Sequence, residues 1–175
     1  MVIWIIGLAG AGKTTVSRAL HALLQNRNRQ VALLDGDHVR AMMDNDLGHT
    51  LEDRRKNGRR MSRICHYLDS QGIDVVCATL SQFDEHQSWN RANCSRYFEV
   101  FLDVPMDVLV ARDQKGLYSG AMAGKIRDVV GVDMPFPPPR NPDMVIRGTQ
   151  VAPDLMAQNI LAEIRRKHPQ WAAQE

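Results

Sequence analysis

The first fifteen residues, MVIWIIGLAGAGKTT (Met1 to Thr15), decide the fold. Val2 to Ile6 is a continuous apolar run of strand length that passes without a break into Gly7-Leu8-Ala9-Gly10-Ala11-Gly12-Lys13-Thr14. That octapeptide satisfies G-x-x-x-x-G-K-[ST] between a predicted strand and a predicted helix, the setting a phosphate-binding loop requires. Glycines let backbone N–H groups turn inward around a di- or triphosphate, and the helix N-terminus adds partial positive charge. In such a loop Lys13 reaches the β- and γ-phosphates of ATP, the Thr14 hydroxyl holds Mg²⁺, and Gly7, Gly10, Ala11, Gly12 and Thr15 complete the nucleotide cradle. A Gly-rich turn that merely starts a helix is the plainer account, and the strand-loop-helix context favours the phosphate.

Outward from this stretch, apolar runs alternate with helical patterns. Strands are expected at Val2-Ile6, Gln30-Leu34, Asp74-Thr79, Tyr97-Leu102 and Met144-Ile146, each continuously apolar as in a parallel sheet covered on both faces. Helices are expected at Lys13-Asn26, His38-Asp44, Leu51-Ser70, Glu85-Cys94, Met106-Arg112 and Pro153-Lys167. The βα alternation predicts an α/β fold of the P-loop type, a three-layer sandwich with a mostly parallel sheet of about five strands and helices on both faces. The proline-rich Pro135 to Pro142 has the composition of a linker, but too little chain follows it, so one domain is expected over residues 1–175.

Composition narrows the function. The 175 residues are 44% hydrophobic, enough for one sizeable core. A net charge of +2, from 22 basic and 20 acidic side chains, argues against a nucleic-acid-coating protein, so anion recognition is expected to be local. Cys65, Cys77 and Cys94 lie in no metal-like spacing and read as reduced thiols of a cytoplasmic protein. The opening apolar run meets glycine too soon for a signal peptide or a membrane span.

A phosphate-binding loop does not by itself separate kinase from GTPase. No NKxD-type guanine signature is present, and the DxxG match Asp69-Ser70-Gln71-Gly72 reads as a helix-to-strand turn ending at Gly72. Leu33-Leu34-Asp35-Gly36-Asp37-His38-Val39-Arg40 tilts the choice toward a kinase. It sets two carboxylates after the second strand, at the sheet edge where open α/β folds bind ligands. Asp35 could orient Mg²⁺ while Asp37 accepts a proton from an attacking hydroxyl. Alternatively, Asp35 simply ends a strand and Asp37 caps the next helix.

These residues carry a resemblance that continues downstream. GLAGAGKTT, LLDGDHVR, DLGHTLEDRRKNGRR, ARDQKGLYSGAMAGKI and VGVDMPF together resemble the adenylylsulfate (APS) kinase family over roughly residues 2 to 150. The resemblance implies transfer of the γ-phosphate of ATP to the ribose 3′-hydroxyl of adenylyl sulfate, in a homodimer. It implies catalytic roles for Lys13, Asp35 and Asp37, with Asp37 in the base-like role, and acceptor binding by Arg40, Arg54 and Asn57. Arg112 to Tyr118 resembles the family's lid, a mobile segment around residues 112–140 in which Arg112 faces ATP and Lys115, Gly116 and Leu117 face the acceptor. A helix end with ordinary C-terminal cations is the plainer reading of that segment.

Three departures fall on the acceptor. The family's two stacking phenylalanines are replaced by His49, in Asp46-Leu47-Gly48-His49, and by Val129, in Val129-Val130-Gly131-Val132-Asp133. A family ISPFR stretch becomes Leu80-Ser81-Gln82-Phe83-Asp84, which puts a carboxylate where an arginine is expected. Leu80, Ser81, Phe83 and His49 are the candidates for a rebuilt acceptor site. Relatives that phosphorylate other activated nucleotides exist, so a CDP-linked acceptor such as cytidine diphosphoramidate is an alternative. A non-catalytic nucleotide-binding regulator is another, but such a module has no use for a second carboxylate.

Other residues read blandly. Arg55, Arg59 and Arg63 form a stripe at four-residue spacing, read as a solvated helix face. Met42, Met43, Met61, Met106 and Met156 read as core filler, Trp89 as a half-buried helix aromatic, and the histidines apart from His38 and His49 are assigned nothing.

Overall fold

A computed structural model of the chain describes residues 1–27, 29–113, 116–148 and 151–173. Five parallel strands form one sheet: β1 (Val2–Ile6), β2 (Val31–Asp35), β3 (Asp74–Thr79), β4 (Tyr97–Asp103) and β5 (Met144–Arg147), in the order β2-β3-β1-β4-β5. The chain leaves central β1 for the β2 edge, returns through β3, and then crosses to β4 on the other side. The order of the strands therefore reverses at β1, and the loop after β1 lies at the switch point where such sheets bind ligands.

Alternate residues of β1 feed two cores. Ile3 and Ile5 pack with Val16, Leu20, Phe98, Val100, Ile160 and Ile164 on one face; Val2, Trp4 and Ile6 pack with Val39, Met61, Cys65, Val75 and Cys77 on the other. All five β1 residues are fully buried, and each large apolar side chain so placed contributes about 1.5–3 kcal/mol. The first face is covered by α1 (Lys13–Gln25) and α7 (Pro153–Lys167), the second by α3 (Leu51–Ser70), with α4 (Asp84–Asn93) packed against α3. Arg29 Nε and Trp171 Nε1 both donate to Asp74, at 2.7 and 3.0 Å, pinning α8 (Pro169–Ala172) to the start of β3.

The expected elements are present with small shifts. Edge strands β2 and β5 are only half-buried, not covered on both faces. The second helix, α2, runs over Gly36–Met42 and not from His38, because Asp35 accepts the Asp37 N–H and caps it. It stops there because Asp44 and Asn45 take left-handed conformations, φ +54° and +52°. That exit leaves Met42 66% and Met43 37% exposed, so these two are not core filler; Met61 is buried, and Met106 and Met156 pack against the core. Beyond α5 (Met106–Arg112), the short α6 (Leu117–Met122) was not expected. Among the described residues no helix is long and apolar enough to cross a membrane.

Candidate active site

The loop between β1 and α1 is built on glycine conformations. Gly10 and Gly12 have φ of +75° and +91°, which a side chain disfavours. Gly7 acts differently: a methyl group there would lie 3.1 Å from the Leu102 carbonyl oxygen and 3.2 Å from Ala11 Cβ. Gly7 thus permits close packing beneath the loop and does not line the cavity, whose wall begins at Ala9 and takes in Gly10, Ala11, Gly12, Lys13, Thr14 and Thr15.

Lys13 Nζ donates to Leu8 O at 2.8 Å. Burial pushes its pKa down to about 8, against the opposing pull of the Asp35 and Asp37 carboxylates. An anion arriving beside a buried amine favours its charged form.

Thr14 Oγ1 donates to Asp35 Oδ2 at 2.7 Å, while Asp35 Oδ1 accepts the Asp37 N–H at 3.0 Å. Asp35 is thus both strand end and helix cap, the role the plainer reading gave to Asp37. The hydroxyl and the carboxylate are hard oxygen ligands side by side. Among the described residues no group of three or more His, Cys, Asp or Glu could hold a metal. Two protein oxygens suit Mg²⁺, which keeps most of its waters and completes its shell with substrate phosphates. Asp37 lines the same cavity, exposed at the first turn of α2.

The cavity encloses about 830 Å³ and continues past Asp37 to Arg40, His49, Arg54, Asn57, Ser81 and Phe83. Arg40 Nη1 donates to Leu47 O and Gly48 O at 3.0 and 2.8 Å. Arg54 Nε donates to His49 O at 2.9 Å, and its Nη2 to Asp128 O at 2.7 Å. The two guanidiniums thereby tie the 46–50 loop to α2 and α3, and Arg54 ties it to residue 128 as well. Burial lowers both arginine pKa values. Burial, followed by the charges of Arg40 and Arg54, also lowers that of His49, so its imidazole is neutral at neutral pH. Val129 is 2% exposed and lines the wall as part of the apolar core.

Leu80 and Ser81 follow β3. Ser81 has φ +50° and is held there by Trp4 Nε1, which donates to its Oγ at 2.9 Å, and by Gln87 Nε2, which donates to its O at 3.0 Å. A non-glycine residue in this region stores strain that the surrounding bonds must offset. Phe83 has the Arg55 guanidinium over its ring at 4.9 Å and the His86 ring edge-on at 5.5 Å. Asp84, the departure expected to repel an anion, is not in the cavity wall; its carboxylate faces Arg140 Nε at 3.5 Å. Asp84 therefore stands outside the wall that an acceptor in this cavity would meet.

The segment after α5 is tied to the phosphate loop. Arg112 Nη1 donates to Gly10 O at 3.1 Å, and the Tyr118 hydroxyl donates to Ala9 O at 2.8 Å. Asp113 caps α6 by accepting from the N–H groups of Tyr118 and Ser119 at 2.8 and 3.0 Å. Arg112 and Leu117 line the cavity; Gly116, φ +62°, makes the turn into α6 and does not. Lys115 lies outside the described residues.

Several wall residues were given no individual site role from the sequence. Tyr118 bonds the phosphate loop from 109 residues away. Val151, Pro153 and Met156, after β5, bring apolar surface to the end of the cavity that also holds the phosphate loop, Leu109 and Leu117. Gln82 and His86, buried and polar, line the wall near Phe83.

The model of the family described as adenylylsulphate kinase matches residues 1–147. An adenylyl-sulfate kinase of Chloroflexus aurantiacus is 39% identical over 166 residues, covering 95% of this chain and 89% of that protein. Among solved structures, the APS kinase of Mycobacterium tuberculosis in complex with AMPPNP and APS superposes with a TM-score of 0.87 at 33% identity, covering 94% of this chain and 96% of that one. A hexameric APS kinase from Thiobacillus denitrificans gives a TM-score of 0.70 at 25% identity, covering 95% of this chain and 29% of that one.

Proposed function

Because the chain belongs to the adenylylsulphate kinase family, we propose that it transfers the γ-phosphate of ATP to the ribose 3′-hydroxyl of adenylyl sulfate. The observation that carries this reading is the continuity of one cavity from Lys13 and Thr14, through Asp35 and Asp37, to Arg40, Arg54 and Asn57. A phosphate donor and a nucleotide acceptor can then meet at Asp37.

Each residue has a defined task. The 9–15 loop and Lys13 hold the donor phosphates, and Arg112 closes over them from the lid side. Thr14 and Asp35 would hold Mg²⁺, which supplies charge neutralisation at the transferring phosphate. Asp37 accepts the proton of the attacking hydroxyl. Arg40 and Arg54 turn their charge toward the anionic acceptor, and Asn57 and Ser81 supply polar contacts deeper in the wall. Leu109, Leu117, Val151 and Met156 give the donor base an apolar slot. Lys115 and Gly116 belong to the proposed lid, in which Asp113 and Gly116 form the turn into α6. In this reading the protein works in the cytoplasm as a homodimer; three free cysteines support the first, and a similar APS kinase that is hexameric supports self-association.

His49 and Val129, standing where the family stacks two rings, favour a second reading in which the acceptor is another activated nucleotide, such as a CDP-linked one. Incubation with ATP and Mg²⁺ and a panel of acceptors, with ADP release followed, tests both. The first reading expects release with adenylyl sulfate; release with CDP-linked acceptors alone supports the second, and no release on any acceptor contradicts the kinase.

A further inference from the structure

Residues 78–83 line the cavity without interruption, although β3 ends at Thr79. Along an extended chain successive side chains point to opposite faces, so an unbroken run of wall residues needs a turn in the backbone. Ser81 makes that turn, with φ +50°. The other described non-glycine residues with positive φ are Asp44, Asn45 and Asp128, of the types that tolerate this region best, and Ser81 is the exception. Glycine would take the same turn without strain, so a serine there must be held by its surroundings.

Two side chains hold it. Trp4 is fully buried in the central strand and has a single donor, its indole N–H. That donor goes to Ser81 Oγ, 77 residues away, at 2.9 Å. Gln87 Nε2, from the first turn of α4, donates to Ser81 O at 3.0 Å and to Ser81 Oγ at 3.3 Å. Gln87 is buried, and neither it nor Trp4 lines the cavity.

The place of the Trp4 anchor links the two halves of the site. Trp4 lies shortly before Gly7 on the strand that runs directly into the phosphate loop, and β1 pairs with β3 so that Trp4 sits beside Cys77. The Trp4–Ser81 bond therefore ties the wall beyond the end of β3 to the strand from which the phosphate loop springs.

We propose that Trp4 and Gln87 are positioning residues for phosphoryl transfer: acting through Ser81, they fix the 80–83 turn so that an acceptor lying against it is held in a set place relative to phosphates on the 9–15 loop. The proposal rests on reading the chain as a kinase, whichever nucleotide is the acceptor. Both residues stand behind the wall, so their loss should change how the acceptor is held and leave the donor side as it is.

Steady-state kinetics test this, with whichever of adenylyl sulfate and the CDP-linked nucleotides releases ADP. Gln87→Met keeps the length of the side chain and removes the donor; Trp4→Phe keeps a ring and removes the N–H. Each should raise KM for the acceptor about three- to tenfold, the effect of losing one neutral hydrogen bond, while KM for ATP changes by less than about twofold. Ser81→Ala should raise it as well, and adding Trp4→Phe to Ser81→Ala should cost less than about twofold more, the coupling expected of residues that act as a unit. Should Trp4→Phe fail to fold, Gln87→Met carries the test alone. An unchanged acceptor KM in folded Gln87→Met, an equal rise in both KM values, or fully additive effects of Trp4→Phe and Ser81→Ala overturns the positioning role while the kinase stands. Absence of ADP release by the wild-type protein with every acceptor overturns the kinase and the positioning role together.

Discussion

Thr14 and Asp35, 21 residues apart in sequence, share a hydrogen bond of 2.7 Å that joins the phosphate loop to the end of the second strand. The same carboxylate caps α2 through the Asp37 N–H. Asp35→Ala should therefore act twice. Loss of the cap should lower stability by about 1 kcal/mol in denaturant unfolding, and loss of the metal-side oxygen should lower kcat/KM about 100-fold or more. Raising Mg²⁺ should recover part of the second effect and none of the first.

Asp37→Asn keeps the shape and removes the proton acceptor. Turnover should fall by about 10²–10⁴, while ATP binding measured by calorimetry survives. Loss of binding along with turnover would place the base-like role elsewhere.

Lys13 makes nucleotide binding and stability depend on pH. Its folded pKa of about 8 lies below the ordinary 10.5, so between those values the unfolded chain holds a proton that the folded chain lacks. Raising the pH through that window should stabilise the empty protein. An arriving polyphosphate favours the charged amine, so ADP binding near pH 8.5 should take up a proton, seen as a dependence of the calorimetric heat on buffer ionisation enthalpy. Near pH 6.5 that uptake from Lys13 should vanish, and in Lys13→Met it should be absent at both.

His49→Phe restores a ring at one of the two missing stacking positions. A base–aromatic stack contributes about 1–3 kcal/mol, so the KM for adenylyl sulfate should fall between about fivefold and a hundredfold with KM for ATP unchanged. No change would mean that the position does not reach the base.

The donor half of the site was legible because its chemistry is local. Gly7 to Thr14 is one contiguous motif between a strand and a helix, and Asp35 and Asp37 are two residues apart at the next strand end. The acceptor half depends on a helix crossing. Nothing in the spacing of Arg54 and Asp128, 74 residues apart, shows that α3 reaches the Asp128 carbonyl, and an isolated arginine on a helix normally faces water. Met42 and Met43 misled for a related reason: the helical pattern continues past them, but the left-handed turn at Asp44 and Asn45 ends the helix and leaves them outside. Edge strands β2 and β5 read like central ones because strand order is not written in an apolar run. Helix α6 was hidden by its length of six residues and by Gly120 within it.

The fate of the γ-phosphate tests the proposed transfer most directly. Incubation of the purified protein with γ-labelled ATP, Mg²⁺ and adenylyl sulfate, followed by isolation of the nucleotide product, should give one labelled species with the phosphate on the 3′-oxygen, formed in equal amount to ADP. Label that stays in ATP, or appears only as inorganic phosphate at the same rate with and without adenylyl sulfate, would contradict it.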